Sequence, residues 1–203
     1  FSEQTTISRG ITPTNSQVLG SRKSIPLKEL LIPFMKLSNN GHGEMLTKEM
    51  GRVVHDEGSW EEGIQVINSV LDDLGIDTDT ILIRDGSGIS DKTLIPAEAL
   101  TTLLYHVQNK PWFATFESSL PVAGEPDRFV GGTLRSRMVD DSTRGNVKAK
   151  TGTLTGASAL SGYVTSADGE PLIFSLLMNN FIKGSMPEIQ DTIATTLAEH
   201  TFE

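Results

Sequence analysis

From Asn146 onward the spacing of apolar residues shortens from a helical to a strand-like period, and this change limits the fold more than any other feature of the chain. Residues 146–154, 157–166 and 171–180 are three β-favouring runs, and Ala167-Asp168-Gly169 between the last two is a hairpin turn, because Asp and Gly accept the backbone angles of a tight reversal. Before the switch the periodicity is helical, and after it one more helix closes the chain. Helices first, then an antiparallel meander, then a helix describe an α+β fold, an antiparallel sheet flanked by helices, rather than alternating parallel units.

The helices have readable ends. Leu27, Leu30, Leu31, Phe34 and Met35 recur on one face behind Pro26, and Pro33 is expected to kink that helix. Ser38-Asn39-Asn40-Gly41 predicts a helix stop with a tight connection, followed by a second helix through Met45, Leu46, Met50, Val53 and Val54. Ser59 and Glu62 form a capping box for a third, striped by Ile64, Ile67, Val70, Leu71 and Leu74 and ended at Gly75. Pro96 opens a fourth with Ala97, Leu100, Leu103, Leu104 and Val107, and residues 111–145 suggest short helices joined by ordered loops. For the tail, Ser185 and Glu188 make another capping box ahead of Ile189, Ile193 and Leu197. Residues 1–23, with scattered Ile7, Ile11, Val18 and Leu19, predict loop with one or two short strands, a lead-in from a preceding domain to the unit at 24–203. The Phe1 start predicts a processed or partial chain.

Composition excludes several chemistries. The 203 residues carry 17 Lys and Arg against 26 Asp and Glu, a net charge of −9, so no nucleic-acid partner is expected. Without cysteine there is no disulfide scaffold, thiolate metal site or thiol nucleophile. His42, His55, His106 and His200 show no metal-ligand spacing. Residues 145–151 end in Lys-Thr like a phosphate loop, but Ala149 stands where a glycine is required. No serine has glycine at both −2 and +2, which removes the nucleophile elbow.

Two short motifs remain. Lys150-Thr151-Gly152-Thr153 opens the meander, and a Lys-Thr-Gly triplet arises by chance in only about one chain in twenty of this length. Its ordinary reading is a solvated edge strand loosened by glycine. Functionally, Gly152 would let an extended substrate lie against the strand, while Lys150 supplies a cation and the threonine hydroxyls bind a carboxylate. Ser38-Asn39-Asn40 is weaker, because S-x-N occurs by chance in roughly half of such chains and also serves as a helix cap. Asp85-Gly86-Ser87-Gly88 reads first as a turn.

In chain order these motifs fit the penicillin-recognising serine acyl-transferases, which use S-x-x-K, then S-x-N, then K-T-G. The sequence resembles the class C low-molecular-mass penicillin-binding proteins, D-alanyl-D-alanine carboxypeptidases and endopeptidases. Residues 32–44 (IPFMKLSNNGHGE), 85–90 (DGSGIS) and 147–164 (VKAKTGTLTGASALSGYV) carry the likeness, which extends over 24–181. No serine is followed by lysine three residues on, so the S-x-x-K nucleophile and base are missing from this chain. The resemblance therefore implies the C-terminal portion of a β-lactamase/transpeptidase-like domain, holding half an active site and inactive alone, with an exposed apolar face unless an N-terminal portion of the same protein covers it.

Site roles follow from the matched positions. The resemblance makes Ser38 a proton relay to the leaving amine, Asn40 a hydrogen-bond partner for the peptide amide, and Lys150 the cation that draws in a C-terminal carboxylate. Thr151 and Thr153 would bind that carboxylate, and the Thr153 N–H would be one of two oxyanion donors. Ile89 and Leu154 would line a pocket for the substrate side chain. Because strict alternation sends Lys150 and Thr151 to opposite faces, the site has to lie along a strand edge. The implied substrate is a peptidoglycan peptide ending in D-Ala-D-Ala, with β-lactams as further ligands, no cofactor and no metal, acting outside the cytoplasm. Alternatives are a non-catalytic module that binds peptidoglycan peptides, or a serine β-lactamase or esterase on the same scaffold.

Overall fold

The computed structural model describes residues 5–6, 8–182 and 184–202. Residues 5–23 form no strand among those described, and Ile11 and Leu19 are almost fully exposed, so the strands expected there are absent; Ile7 lies outside the described residues. Too few apolar residues fall at alternate positions in this stretch to bury a face.

The helices are α1 (Leu27–Leu37), α2 (Asn40–His55), α3 (Trp60–Asp73), α4 (Ala97–Val107), α5 (Phe113–Ser119) and α6 (Met186–Glu199). Single 3-10 turns stand at Thr78–Thr80 and Gly132–Leu134. Strands β1 (Lys148–Leu154), β2 (Ala157–Thr165) and β3 (Pro171–Asn179) form an antiparallel sheet in the order β1-β2-β3, matching the three runs read from the sequence. The turn between β2 and β3 closes with Gly169 at φ +92° and its N–H on the Ser166 carbonyl at 3.0 Å.

Each face of the sheet buries a different layer. Ala149, Leu160, Val164 and Phe174 pack with Val147, Leu134, Ala194 and Ala198, which places α6 on one side. On the other side Tyr163 packs with Leu104, Leu120, Met35, Phe113 and Phe116 from α1, α4 and α5, and its hydroxyl donates to the Leu104 carbonyl at 2.8 Å. Lys148 faces Tyr163 across the ladder and Lys150 follows two residues on, so both lysines stand on the α1 side.

α1 runs through Pro33 as one helix. Two local expectations change. The buried face of α2 consists of Gly43, Thr47 and Gly51, whereas Met45, Val53 and Val54 are exposed. Backbone contact explains this, since a Cβ on Gly63 of α3 would stand 2.0 Å from the Thr47 carbonyl oxygen. In α6 the buried residues are Gln190, Ala194 and Ala198 rather than Ile189, and Ser185 makes no side-chain cap bond. Small residues let α6 sit close to β2, where Gln190 donates to Ser158 Oγ at 3.0 Å.

Candidate active site

The S-x-N bend is built by two helices that meet with almost no connector. α1 stops because Ser38 turns left-handed (φ 52°, ψ 53°), with the Asn39 N–H returning to the Phe34 carbonyl at 3.0 Å. Asn39 then caps α2 by accepting the His42 N–H at 3.1 Å, and Asn40 is the first helical residue. The bend leaves Ser38 and Asn40 on one groove wall.

β1 supplies the facing wall. The Lys150 ammonium donates to Ser38 Oγ at 2.7 Å and to the Thr151 carbonyl at 2.6 Å, joining residues 112 apart in sequence. Among the described residues no carboxylate forms an ion pair with it. Burial pushes its pKa down to about 8. Ser38 and Lys150 thus line one pocket, beside β1, which is an outer strand of the sheet.

Backbone parity decides which groups face the groove. The Ala149 N–H points away from β2, donating to the Pro121 carbonyl at 3.0 Å. With a period of two, the N–H groups of Thr151 and Thr153 point the same way. Residues 152–154 are exposed, and beyond Ala149 this edge looks into a groove of about 480 Å³ lined by Ser38, Asn40, Ile89, Lys150, Thr153 and Leu154. Thr151 Oγ1 donates to Thr133 Oγ1 at 2.8 Å. Gly152 answers to its neighbour strand too, as a Cβ there would stand 3.3 Å from Ala159 Cβ.

All eight residues singled out in the sequence, Ser38, Asn40, Ile89, Lys150, Thr151, Gly152, Thr153 and Leu154, line this one groove. Ile89 and Leu154 also border an adjoining cavity of about 920 Å³ with Leu94, Leu100 and Leu177. The 85–90 segment is a turn as well as a wall, with the Asp85 carboxylate accepting the Ser90 N–H at 2.8 Å and the Ser87 and Thr93 hydroxyls at 3.1 Å. No group of three or more His, Asp or Glu side chains that could hold a metal occurs among the described residues.

Sequence reading missed Lys36 and Thr133. Lys36, 2% exposed, sends its ammonium from α1 to the Leu120 carbonyl, and burial together with the Lys148 charge brings its pKa to about 8. Leu120 precedes the Pro121 carbonyl that holds Ala149, so this lysine ties the end of α1 to the start of β1. Its position two residues before Ser38 was the only signal, and helix periodicity does not announce a buried cation.

Comparison with known proteins agrees with this geometry. The model of the D-Ala-D-Ala carboxypeptidase 3 (S13) family matches residues 2–200. The chain belongs to that family. Among family relatives, the D-alanyl-D-alanine carboxypeptidase of Actinomadura sp. (strain R39) is 46% identical over 187 residues, covering 92% of this chain and 34% of its own length. The D-alanyl-D-alanine carboxypeptidase DacB of Haemophilus influenzae is 31% identical over 178 residues, covering 86% of this chain and 36% of its own length. The chain thus spans about a third of the curated relatives it matches. Penicillin binding protein 4 from Haemophilus influenzae superposes with a TM-score of 0.82 at 26% identity over 93% of this chain and 43% of that one. A predatory endopeptidase from Bdellovibrio bacteriovorus shares the fold, with a TM-score of 0.64 at 20% identity over 85% of this chain and 43% of its own.

Proposed function

We propose that the whole protein is a serine-type D-Ala-D-Ala carboxypeptidase acting on peptidoglycan peptides outside the cytoplasm, and that this chain carries the S-x-N and K-T-G half of its site. The observation that supports this most is the 2.7 Å contact between Lys150 Nζ and Ser38 Oγ beside the outward-facing edge of β1. A serine from the preceding portion attacks the carbonyl between the two D-Ala residues, and the developing oxyanion meets the Thr153 N–H and the N–H of that serine. Removing one such donor typically costs about 2.7 to 4 kcal/mol of transition-state stabilisation. Ser38 passes a proton to the departing D-Ala amine, Asn40 holds the peptide amide, and the substrate carboxylate lies against Lys150 with the Thr151 and Thr153 hydroxyls. Water then releases the acyl group from the serine.

The chain alone lacks the nucleophile and is inactive. β-Lactams acylate the whole protein through the same serine, in line with the solved Haemophilus influenzae penicillin binding protein 4 complexed with a β-lactam. The test is labelling with fluorescent penicillin together with D-Ala release. The whole protein should form a denaturation-resistant label that persists for hours and should release D-Ala, whereas residues 1–203 alone should take no label. A stable label on the lone chain, or turnover of the label within milliseconds as in a β-lactamase, would contradict the reading. Penicillin labelling with no D-Ala release but cleavage of cross-linked peptides would move the assignment to endopeptidase, an outcome that the 920 Å³ cavity beside the groove has room for.

A further inference from the structure

The 85–90 loop reaches the groove because one carboxylate holds it there. Glu44 stands one turn after Asn40 on α2, and its oxygens accept the Gly86 N–H at 3.3 Å, the Ser87 N–H at 3.1 Å and the Trp60 indole N–H at 2.6 Å. Two of these donors belong to the loop and the third to the first residue of α3. Close backbone approach completes the docking, since a Cβ on Gly43 would stand 2.5 Å from the Gly86 carbonyl oxygen and one on Gly86 would stand 2.2 Å from Thr47 Oγ1. Within the loop, Asp85 gathers Ser87, Ser90 and Thr93 around its carboxylate. The loop is therefore internally tied, its hydrogen bonds to α2 converge on one carboxylate beside the glycine contact, and it carries Ile89, 54% exposed, into the groove lined also by Leu154.

We propose that Glu44 is a specificity-positioning residue: by holding the 85–90 loop on α2 it fixes Ile89 as the wall that meets the side chain preceding D-Ala-D-Ala. This rests on the carboxypeptidase reading above. Glu44 touches no substrate and acts through the two loop amides. Burial disfavours its ionised form, but hydrogen bonds from Ser87, Trp60 and Gly86 outweigh that and hold its carboxyl below the usual carboxylate range. At neutral pH it is an anion facing three N–H donors. A glutamine in its place would turn an amide NH2 toward one of those donors and release part of the loop.

The test uses the whole enzyme with two acyl-tripeptides ending in D-Ala-D-Ala, one with a long side chain before the D-Ala pair and one with glycine there. Glu44→Gln should lower the kcat/KM ratio of long-chain to glycine peptide by about tenfold, mostly through KM, while acylation by benzylpenicillin changes by less than about threefold. Ile89→Gly should lower the ratio similarly, and adding Glu44→Gln to it should change the ratio little further. Hydrogen exchange at the Gly86 and Ser87 amides should speed up by about tenfold in Glu44→Gln. Equal losses on both peptides, an unchanged ratio, or additive effects with Ile89→Gly would overturn the proposal. If the wild type hydrolyses neither peptide while the two amides still respond, the carboxypeptidase reading fails and the hold of Glu44 on the loop stands. Should Glu44→Gln not fold, Glu44→Asp keeps the charge, withdraws it by one methylene, and is judged by the same ratio and the same amides.

Discussion

Ser38 owes its place to its backbone, and Lys150 owes its chemistry to its burial. The left-handed turn at Ser38 ends α1 and aims the hydroxyl at an ammonium from a strand 112 residues away. Replacing Lys150 with Ala in the whole enzyme should cut kcat/KM on a D-Ala-D-Ala peptide by at least about 100-fold, because a charge-assisted carboxylate contact of roughly 1.5–3 kcal/mol and the Ser38 contact are both lost; steady-state D-Ala release measures it, and a loss below threefold would remove Lys150 from the site. Burial lowers this lysine to about 8, and the protonated form is the one that attracts a carboxylate. KM for such a peptide should therefore rise as pH climbs through about 8, well below the usual range for lysine, while KM for the C-terminal amide should stay flat across the same window. Ser38, Asn40 and the 150–154 stretch were legible because their residue types stand at motif spacing. Glu44, Lys36 and Thr133 were not, since each acts through a contact whose partner lies 18 to 84 residues away and no local pattern marks it.

The elements divide in the same way. Strands β1 to β3 and their turn could be read directly, because a period of two and a turn glycine are local signals that tertiary packing reinforced. The buried faces of α2 and α6 could not, because their fully buried positions are glycine, threonine, alanine and one glutamine, while Met45, Val53, Val54 and Ile189 are exposed. Helix–helix contact at the backbone makes the glycines decisive: Gly63→Ala would press a methyl onto the Thr47 carbonyl and force α2 and α3 apart. An overpacking cost of about 1–3 kcal/mol is expected, visible as a lower urea midpoint of the whole protein with an unchanged slope. An unchanged midpoint would mean that these helices do not meet so closely. Tyr163→Phe leaves the buried Leu104 carbonyl without its 2.8 Å donor and should cost about 1–3 kcal/mol in the same measurement.

At the scale of the whole molecule the exposed apolar residues stand out. Met45, Val53, Val54 and Trp60 lie at the surface around α2, and Tyr105 and Trp112 at the surface around α4 and α5. The chain covers about a third of the relatives it matches, and of the S-x-x-K, S-x-N, K-T-G set it contains the last two motifs but no S-x-x-K. Residues 1–203 expressed alone should self-associate, and co-expression with the preceding portion should raise the soluble yield. Sedimentation of the lone chain as a sharp monomer would count against that. The α+β order, the antiparallel meander and the two walls of the groove were all foreseeable from one chain, whereas the exposure of Met45, Val53 and Val54 was not, because their helical spacing reads as a buried stripe. The central claim, that the edge of β1 and the bend after α1 form one acyl-transfer site, is tested most directly by a crystal structure of the whole protein acylated with benzylpenicillin. The β-lactam carboxylate should lie within about 3.2 Å of the Thr151 or Thr153 hydroxyl, and the acyl oxygen within the same distance of the Thr153 N–H. An acyl group that lies away from β1, with Ser38 and Lys150 both turned from it, would contradict the claim.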